Sequence, residues 1–380
     1  MRRAISKLAV AALALLALAA CSQMRQSTPA WIGCRLEASE SAALQRKVTA
    51  CTGLIDGGGL KAGELQLALR LRADGERRLG RYDAAIADYG RAIGLDSADG
   101  AAFSGRGLAY YGQEKLDLAA ADFDRALRLD PDDAGALNGR AYVERRKGDV
   151  AGVIRDENRA IELKPDWSDP WGERGLAYLD KRWWDMALAD FQDALARDGR
   201  LAYALEGSGD AWRGKGDGAD AAKAYLGASD AYFVQKDWDD AIYESGKALE
   251  VRPDDPGALN SRCWTRAIAD EDLDLALADC RRSLAIRPGD APTLDSLAFV
   301  RFRQDRLGEA LAGFDAALAK DPKQAASLYM RGIVKYRLGD QDGGQSDIAA
   351  AEKVDPEVAG RYADWGVAAP PSSDGGQASQ

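Results

Sequence analysis

The sequence predicts an all-α fold in which pairs of short antiparallel helices repeat along the chain. The prolines that end these pairs recur from Pro131 to Pro356 at an interval of about 34 residues, apart from one longer gap. Alanine is abundant, and no long alternation of apolar and polar residues indicates a sheet. A single pair cannot bury its apolar faces alone, so the pairs must stack on their neighbours.

Residues 100–133 show the repeated unit most clearly. The residues that define it are Phe103, Gly107, Tyr110, Ala119, Phe123, Ala126 and Pro131. Their spacing predicts two short helices, with small residues where the helices cross and large residues beside the crossing. Pro131 cannot continue the second helix and therefore ends the unit.

This pattern resembles the tetratricopeptide repeat family over roughly residues 66–358. The resemblance implies a right-handed superhelical solenoid of about eight repeats. The phase breaks once, because the stretch from Pro165 to Pro253 is longer than two repeats. The excess is the length of one extra helix and its turn, near 216–236. Tyr225 in this region fits either the second helix of one repeat or the first helix of the next.

The repeats and their flanks divide the chain into segments. Tyr362 and Trp365 are expected to cover the last apolar face of the array, and the residues after them have too little apolar content to pack. The predicted segments are a lipoprotein signal peptide (1–20), a tether (21–30), an N-terminal helical cap (31–65), repeats (66–201), an irregular three-helix segment (202–255), further repeats (256–358), a C-terminal capping helix (359–366) and a disordered tail (367–380).

The N-terminus has the pattern of a secretory signal. Basic residues precede an apolar run from Leu8 to Leu18 that is too short for a comfortable transmembrane helix. The following Leu18-Ala19-Ala20-Cys21 resembles the bacterial lipobox, which implies cleavage before Cys21 and lipid attachment to it. By the same resemblance, Ser22 favours an outer-membrane lipoprotein facing the periplasm. The alternative is an ordinary signal with a chance cysteine.

Four further cysteines form two pairs with the same separation. The interval from Cys34 to Cys51 equals the interval from Cys263 to Cys280. Within its repeat, Cys263 lies where Gly107 lies in the unit above, and Cys280 lies where Phe123 lies. We therefore expect two local disulfides, each joining antiparallel helices, in a compartment where disulfides persist. The alternative is four free, buried cysteines that act as small apolar residues.

Composition excludes several classes of function. The formal net charge is −10 and no stripe of Lys or Arg is present, so nucleic acid is not expected as a partner. The chain has no histidine, which removes His-based acid–base catalysis, His-containing triads and most catalytic zinc sites. We expect no cofactor and no metal. Adjacent acids such as Asp132 and Asp133 fall in predicted turns, where they cap helices.

The resemblance also implies where a partner would bind. In the family, the first helix of each pair lines a concave groove that takes peptides or partner helices. The groove positions carried over to this sequence are Tyr111, Tyr142, Arg145, Trp264, Phe299, Phe302, Arg303, Tyr329, Tyr336 and Arg337. Aromatic and Arg side chains of this kind dominate binding hot spots. The alternative is that many of these aromatics pack between adjacent pairs.

Three functional hypotheses follow. The first is a non-catalytic, lipid-anchored periplasmic scaffold that binds a protein or peptide in its groove, in cell-envelope assembly or maintenance. The second is a self-associating structural lipoprotein whose aromatic face is its own interface. The third is an enzyme, which would need a pair of carboxylates converging in the groove because histidine is absent. The Arg that recurs at one repeat position, as in Arg106 and Arg140, is expected to be structural and to pair with acids.

Overall fold

The computed structural model describes residues 29–37 and 40–367, and within them it contains α-helices and no strands. The predicted signal peptide, Cys21 and most of the predicted tether and tail lie outside these residues. The helices are α1 (Pro29–Cys34), α2 (Ser41–Asp56), α3 (Ala62–Arg78), α4 (Tyr82–Leu95), α5 (Gly100–Gly112), α6 (Leu116–Leu129), α7 (Ala134–Lys147), α8 (Val150–Leu163), α9 (Ser168–Asp180), α10 (Trp184–Arg197), α11 (Ala202–Lys215), α12 (Gly218–Gln235), α13 (Trp238–Val251), α14 (Pro256–Ala269), α15 (Leu273–Ile286), α16 (Ala291–Arg303), α17 (Leu307–Lys320), α18 (Ala325–Arg337), α19 (Gln341–Val354) and α20 (Val358–Asp364).

The helices form two compact units that meet within α9, the first ending at Ala177 and the second beginning at Tyr178. In the first unit, α3/α4, α5/α6 and α7/α8 are antiparallel pairs joined by short turns. Acids in the turns begin the next helix, as the sequence predicts. Asp133 accepts hydrogen bonds from the backbone N–H groups of Gly135 and Ala136, at 2.9 and 3.1 Å. These bonds satisfy donors that the first turn of a helix leaves unpaired.

Several of the pairs are centred on a large aromatic side chain of their second helix. Tyr89 on α4 and Phe123 on α6 are fully buried, and a Cβ atom at Gly105 or Gly139 of the following pair would overlap their rings. The ring of Phe123 also lies against Gly107 of its own pair. Glycine therefore permits close approach, because its missing side chain lets the backbones of two helices contact the same ring.

The recurring Arg ties the two helices of a pair together. Arg106 donates through Nε and Nη2 to the two carboxylate oxygens of Asp122, at 2.7 and 2.8 Å. Arg140 binds Asp156 in the same way, at 2.6 and 3.0 Å. The same bidentate pairs are Arg72–Asp88, Arg262–Asp279 and Arg331–Asp347. Bidentate pairs add geometric specificity as well as energy, so they fix how far one helix can slide along the other.

Two disulfides each join a helix to the next helix along the chain. Cys34 at the end of α1 is bonded to Cys51 on α2, and Cys263 on α14 is bonded to Cys280 on α15. These are the two pairings that the sequence predicts. A crosslink that closes a loop of this length contributes about 3 kcal/mol through restriction of the unfolded chain.

The structure moves the predicted limits of the N-terminal cap. The predicted boundary at residue 65 falls inside α3, because the helix begins at Ala62, where the Glu64 side chain accepts a hydrogen bond from Lys61 N at 2.9 Å. The predicted tether ending at residue 30 is also too long, because α1 begins at Pro29. Trp31 is buried, which gives this short helix an apolar anchor.

In the second unit, α11, α12 and α13 are the three helices predicted for the irregular segment. The long helix α12 serves two pairs. In its first half, Tyr225 lies against Gly209 of α11, so this half acts as the second helix of a pair with α11. In its second half, Ser229 donates to the carbonyl of Ala241 on α13 at 2.8 Å, so this half acts as the first helix of a pair with α13. Lys247 of α13 extends to Glu206 on α11, at 3.1 Å. Regular pairs resume with α14/α15 and continue to α18/α19.

The C-terminal helix begins and ends slightly earlier than predicted. It covers Val358–Asp364 rather than 359–366. The predicted disordered tail begins too early, since Val367 is buried and its N–H donates to the carbonyl of Tyr362 at 2.9 Å. The Tyr362 and Trp365 side chains hold this end of the chain against the first helices of several pairs, as described below.

The ring contact predicts the effect of adding one methyl group. Gly139→Ala should destabilise the chain by about 1–3 kcal/mol, because the new Cβ overlaps the buried Phe123 ring and the helices must move apart. Gly94→Ala on α4 is the control, since nothing lies within 4 Å of a Cβ there. It should be neutral or stabilising, by up to about 1 kcal/mol, because Ala favours helix. Chemical denaturation measures both, and equal midpoints for the two variants would contradict this account of the crossing.

Candidate binding faces of the two units

In both units the first helices of successive pairs contact one another. In the first unit α3 contacts α5 and α5 contacts α7, and in the second unit α12, α14, α16 and α18 form a similar series. The side chains at the predicted groove positions lie on these helices. We refer to the two surfaces as the first-helix face of each unit, and each is described separately.

In the first unit, the predicted groove residues Tyr111 and Tyr142 are in contact. Their ring centroids are 5.8 Å apart and the ring planes meet at 30°, so the two rings are stacked. Both side chains are half-buried. Stacking fixes the rotamers of two large aromatic side chains on consecutive first helices, which reduces the entropy that a ligand would have to remove.

Charged side chains border this aromatic pair. Arg145 donates through Nε to Glu173, at 2.9 Å, and the exposed Arg146 donates through Nη2 to Glu114, at 3.1 Å. Arg145 is therefore held by an acid of the next first helix rather than extended into solvent. The guanidinium groups keep further N–H donors, which suits carbonyl or carboxylate oxygens of a ligand.

In the second unit, the predicted groove aromatics are not an open surface. Phe299, Phe302 and Tyr329 are 0%, 4% and 0% exposed. The prediction that they line an accessible groove is wrong in this respect, because Tyr362 of α20 packs on Phe299 and Tyr329, while Phe302 stacks on Phe299 and lies beneath the Arg337 guanidinium. Trp264 is half-buried, with its ring centroid 5.2 Å from that of Phe299.

The side chains of Tyr362 and Trp365 make the contacts that cover this face. The Tyr362 ring centroid is 5.9 Å from Phe299 and 5.2 Å from Tyr329. The Trp365 ring centroid is 5.7 Å from Trp264 and 6.1 Å from Phe233. These two residues therefore reach four first-helix positions, on α12, α14, α16 and α18.

The remaining predicted groove residues have different surroundings. Arg303 donates through Nε to the carbonyl of Ala267 at 3.1 Å, and through Nη2 to the carbonyl of Trp365 at 2.7 Å. Arg337 is exposed, with its guanidinium 4.4 Å from the centre of the Phe302 ring. Tyr336 is half-buried beside Gly344 of α19, its own second helix.

Two residues that matter for these faces are absent from the sequence prediction. Phe233 lies on α12, the helix that breaks the repeat phase, so no repeat position pointed to it. Glu157 had a detectable signal, because it falls one repeat interval after Phe123, at the position that a buried ring occupies in neighbouring pairs. Glu157 is fully buried and accepts a hydrogen bond from Asn138 at 2.9 Å.

Comparison with known families agrees with this architecture. Two overlapping segments, residues 70–134 and 104–170, match the family model of the tetratricopeptide repeat. The matched region, residues 70–170, lies within the first unit. The later pairs of the second unit have the same helix lengths of 13 or 14 residues and the same short turns. Tetratricopeptide repeats are typically non-catalytic scaffolds for protein interaction, and such arrays offer extended surfaces.

Several solved structures are similar to the chain. YrrB, described as a TPR protein with an unusual peptide-binding site, is 20% identical over 59% of this chain and 99% of its own, with a TM-score of 0.37. MamA is 21% identical over 46% of this chain and 96% of its own, with a TM-score of 0.38. The APC/C hetero-tetramer Cut9–Hcn1 is 13% identical over 83% of this chain and 81% of its own, with a TM-score of 0.33. Identities this low concern the fold alone. No curated protein matches the chain.

Several acids inside the helix pairs have raised pKa values. Burial raises the pKa of Glu157 to about 9, and its hydrogen bond from Asn138 only partly opposes the shift. Burial raises the pKa of Asp295 to about 6, against the opposing hydrogen bond from Ser327. Asp295 is 4% exposed and Glu157 is fully buried, so each is closed to a substrate. Neither has the open setting that the enzyme hypothesis requires.

The described part of the chain was also compared with the requirements of a metal site and of a membrane-spanning helix. No cluster of three or more potential metal-binding side chains lies among residues 29–37 and 40–367. Over those ranges, every helix is also too short or too polar to cross a bilayer.

The buried Glu157 predicts a pH-dependent stability. Its pKa is about 9 in the folded chain and near 4.5 when unfolded, so between these values the folded state holds the extra proton and stability falls as pH rises. Glu157→Gln removes this loss. The variant should match the original chain at pH 4 and exceed its stability at pH 8 by up to about 5 kcal/mol, because pH 8 lies about 3.5 units above the unfolded pKa and each unit contributes about 1.4 kcal/mol.

Glu162→Gln is the matched control for this measurement, because Glu162 lies on the same helix and its side chain is 65% exposed. Thermal unfolding of both variants across the pH range gives the comparison. A Glu157→Gln stabilisation that is the same at pH 4 and pH 8 would show that proton uptake by Glu157 is not its cause.

Proposed function

We propose that this protein is a non-catalytic, lipid-anchored periplasmic scaffold that binds a protein or peptide through the first-helix face of its first unit. The observation that carries the proposal is the stacked, half-buried pair Tyr111–Tyr142 with Arg145 and Arg146 beside it. The proposed partner is a protein of the cell envelope, and the proposed role is envelope assembly or maintenance.

The chemistry of this face supports a protein partner rather than a small substrate. Two rigid aromatic rings supply apolar contact area at low entropic cost, and Arg supplies several N–H donors in a planar arrangement. The aromatic rings lie on consecutive first helices with Arg145 and Arg146 beside them, so the face offers apolar and hydrogen-bonding contacts across two neighbouring repeats. A peptide or a helix of a partner can make contacts of both kinds.

The covered face of the second unit bears on the self-association hypothesis. That hypothesis assigned the interface to the aromatic face of Trp264, Phe299, Phe302, Tyr329 and Tyr336, with Arg303 and Arg337. In the structure Tyr362 contacts Phe299 and Tyr329, and Trp365 contacts Trp264, so a second copy cannot use those three aromatic residues without displacing the C-terminal segment. The first-helix face of the first unit is the better candidate for binding.

The lipid anchor rests on sequence. The apolar run followed by Leu18-Ala19-Ala20-Cys21 resembles a lipoprotein signal, and two disulfides are consistent with an oxidising compartment. Several acyl chains at one cysteine would anchor the protein firmly to a bilayer. Ser22 favours the outer membrane over the inner one, and the net negative charge argues against nucleic acid.

Affinity capture from an envelope extract tests the binding face. The chain with Tyr111→Ala and Tyr142→Ala should retain about 10-fold less of the specific partner than the original chain, because the two rings supply its central apolar contact. Tyr243→Ala is the control, since Tyr243 is 62% exposed and lies on a second helix of the other unit. Circular dichroism confirms that all variants keep their helices.

The pattern of captured proteins decides the outcome. A protein held by the original chain and by Tyr243→Ala, but lost from the double variant, supports the proposal. Equal retention by all three chains would move the binding site to another surface, and the proposed face would be wrong.

Cell fractionation tests the anchor. Cys21→Ser should release the protein from membranes into the soluble periplasmic fraction, because the lipid acceptor is gone. The mass of the mature N-terminus of the original chain should show acylated Cys21. Tight membrane association of processed Cys21→Ser protein would contradict the lipoprotein proposal.

A further inference from the structure

We propose that residues 356–367 are a resident, displaceable ligand of the first-helix face of the second unit. The proposal assigns a recognition chemistry to that face: a short segment with a Tyr-x-x-Trp pair at the end of a helical turn. A partner peptide with this chemistry binds there when the resident segment leaves. We call the residues that hold the segment the aromatic seat, namely Phe233, Trp264, Phe299, Arg303 and Tyr329.

The aromatic seat is built from four successive first helices. Phe233 lies on α12, Trp264 on α14, and Tyr329 on α18, while Phe299 and Arg303 lie on α16. Each residue points from a helix whose position is fixed by its own pair. The seat is therefore a preformed surface rather than a product of the C-terminal segment folding against one neighbour.

Apolar contacts seat the two aromatic side chains of the segment. Tyr362 is 1% exposed, between the rings of Phe299 and Tyr329. Trp365 is in edge-to-face contact with Trp264, at an interplanar angle of 85°. Aromatic pairs in stacked and edge-to-face geometries are favourable beyond the area they bury.

Polar contacts fix the end of the segment. Arg303 donates to the carbonyl of Trp365 at 2.7 Å, one of the carbonyls that the end of a helix leaves unpaired. Lys236 forms an ion pair with Asp364, with Nζ 3.0 Å from Oδ2. The aromatic seat thus recognises two rings and, through Arg303, a helix C-terminus. Lys236 beside the seat recognises an acidic residue. A peptide that supplies only an apolar surface would miss the Arg303 contact.

The segment is more than a cap for the last pair. A cap needs to cover the exposed apolar side of α18 and α19, and Val358, which is fully buried, lies at the start of α20 beside them. Trp365 contacts Phe233 and Trp264 instead, which belong to α12 and α14, earlier in the array. Covering the last pair does not require this reach, whereas occupying a binding face does.

Three features make the segment displaceable. Its helix has seven residues, too few to persist in water without the seat. The hydroxyl of Tyr362 is buried and lacks a hydrogen-bond partner among the described residues, which weakens binding because its hydration is not replaced. The segment also joins α19 through a short turn at Asp355, so leaving the seat requires no change in the paired helices. A partner peptide whose hydroxyl finds a hydrogen-bond acceptor at the Tyr362 position, or which carries Phe there, would bind better than the resident segment.

A labelled peptide tests the proposal on the full chain. The probe is a fluorescein-labelled peptide of residues 355–367, DPEVAGRYADWGV, measured by anisotropy. In the original chain the resident segment competes with it. Trp365→Ala weakens binding of the resident segment and should tighten peptide binding by about 10-fold, because the apparent affinity of the peptide scales with the fraction of chains whose seat is open.

Tyr362→Phe removes the unsatisfied hydroxyl, so the resident segment binds the seat more tightly. The labelled peptide should then bind about 3-fold more weakly.

Control variants locate the binding. Adding Trp264→Ala to Trp365→Ala should abolish the gain, since the seat is then damaged, whereas adding Tyr243→Ala should leave it unchanged. Trypsin cleavage at Arg361 gives a second measurement in the absence of peptide. The exposed Arg361 lies within the segment, so cleavage should be faster in Trp365→Ala and slower in Tyr362→Phe than in the original chain.

Three outcomes would overturn the proposal. The first is equal peptide affinity in the original chain and in a fully helical Trp365→Ala variant. The second is peptide binding that survives the addition of Trp264→Ala. The third is a stable dimer whose dissociation accelerates Arg361 cleavage, which would mean that a second copy supplies the segment. The conservative Tyr362→Phe variant keeps the test decisive if Trp365→Ala unfolds, since unchanged cleavage and affinity there would also count against it.

These measurements concern the second unit alone, and the function proposed above concerns the first. Loss of partner capture in Tyr111→Ala/Tyr142→Ala and release of the resident segment in Trp365→Ala are therefore independent results. A resident segment that proves fixed leaves the proposed binding face of the first unit unaffected.

Discussion

The structure depends on one close contact, the insertion of a second-helix ring between glycines of two first helices. Phe123 against Gly107 and Gly139 is the clearest case. A ring in contact with both glycines sets the distance within a pair and also the distance to the next pair. One side chain thereby fixes two interfaces, and the Arg–Asp pairs then fix the alignment of the helices. A larger residue at either glycine is therefore expected to force the helices apart and to destabilise both interfaces.

Where the ring is missing, a different interaction takes its place. Cys280 stands at the ring position of its pair and is bonded to Cys263, which stands at the glycine position. A covalent bond across the crossing replaces a packed one. In the first unit the ring position is taken by Glu157, hydrogen-bonded to Asn138. A buried carboxyl is a poor replacement for a ring, because its charged form would lack the hydration that water gives it. This crossing is therefore stabilised only while the carboxyl group of Glu157 stays protonated.

Much of the fold could be predicted from the sequence because the repeat interval assigns each residue a position within its pair. The positions of Cys263 and Cys280 relative to Gly107 and Phe123 led directly to the pairing that the structure contains. The same interval shows which helix carries Trp264 or Phe299. It cannot show that a segment outside the repeats lies on them, since Tyr362 and Trp365 have no repeat position. For the same reason Phe233, on the extra helix, was not found.

The seating of α20 also has a consequence for how the second unit unfolds. In a linear array each pair contacts only its neighbours, so the ends can open while the middle stays folded. Trp365 and Tyr362 connect α12 with α18, which are not neighbours, and this closes a loop of contacts through the array. Opening any one pair inside that loop also strains the contacts at its ends. The helices from α12 to α20 are therefore expected to open as one cooperative block while the segment is seated, and as separate pairs once it leaves.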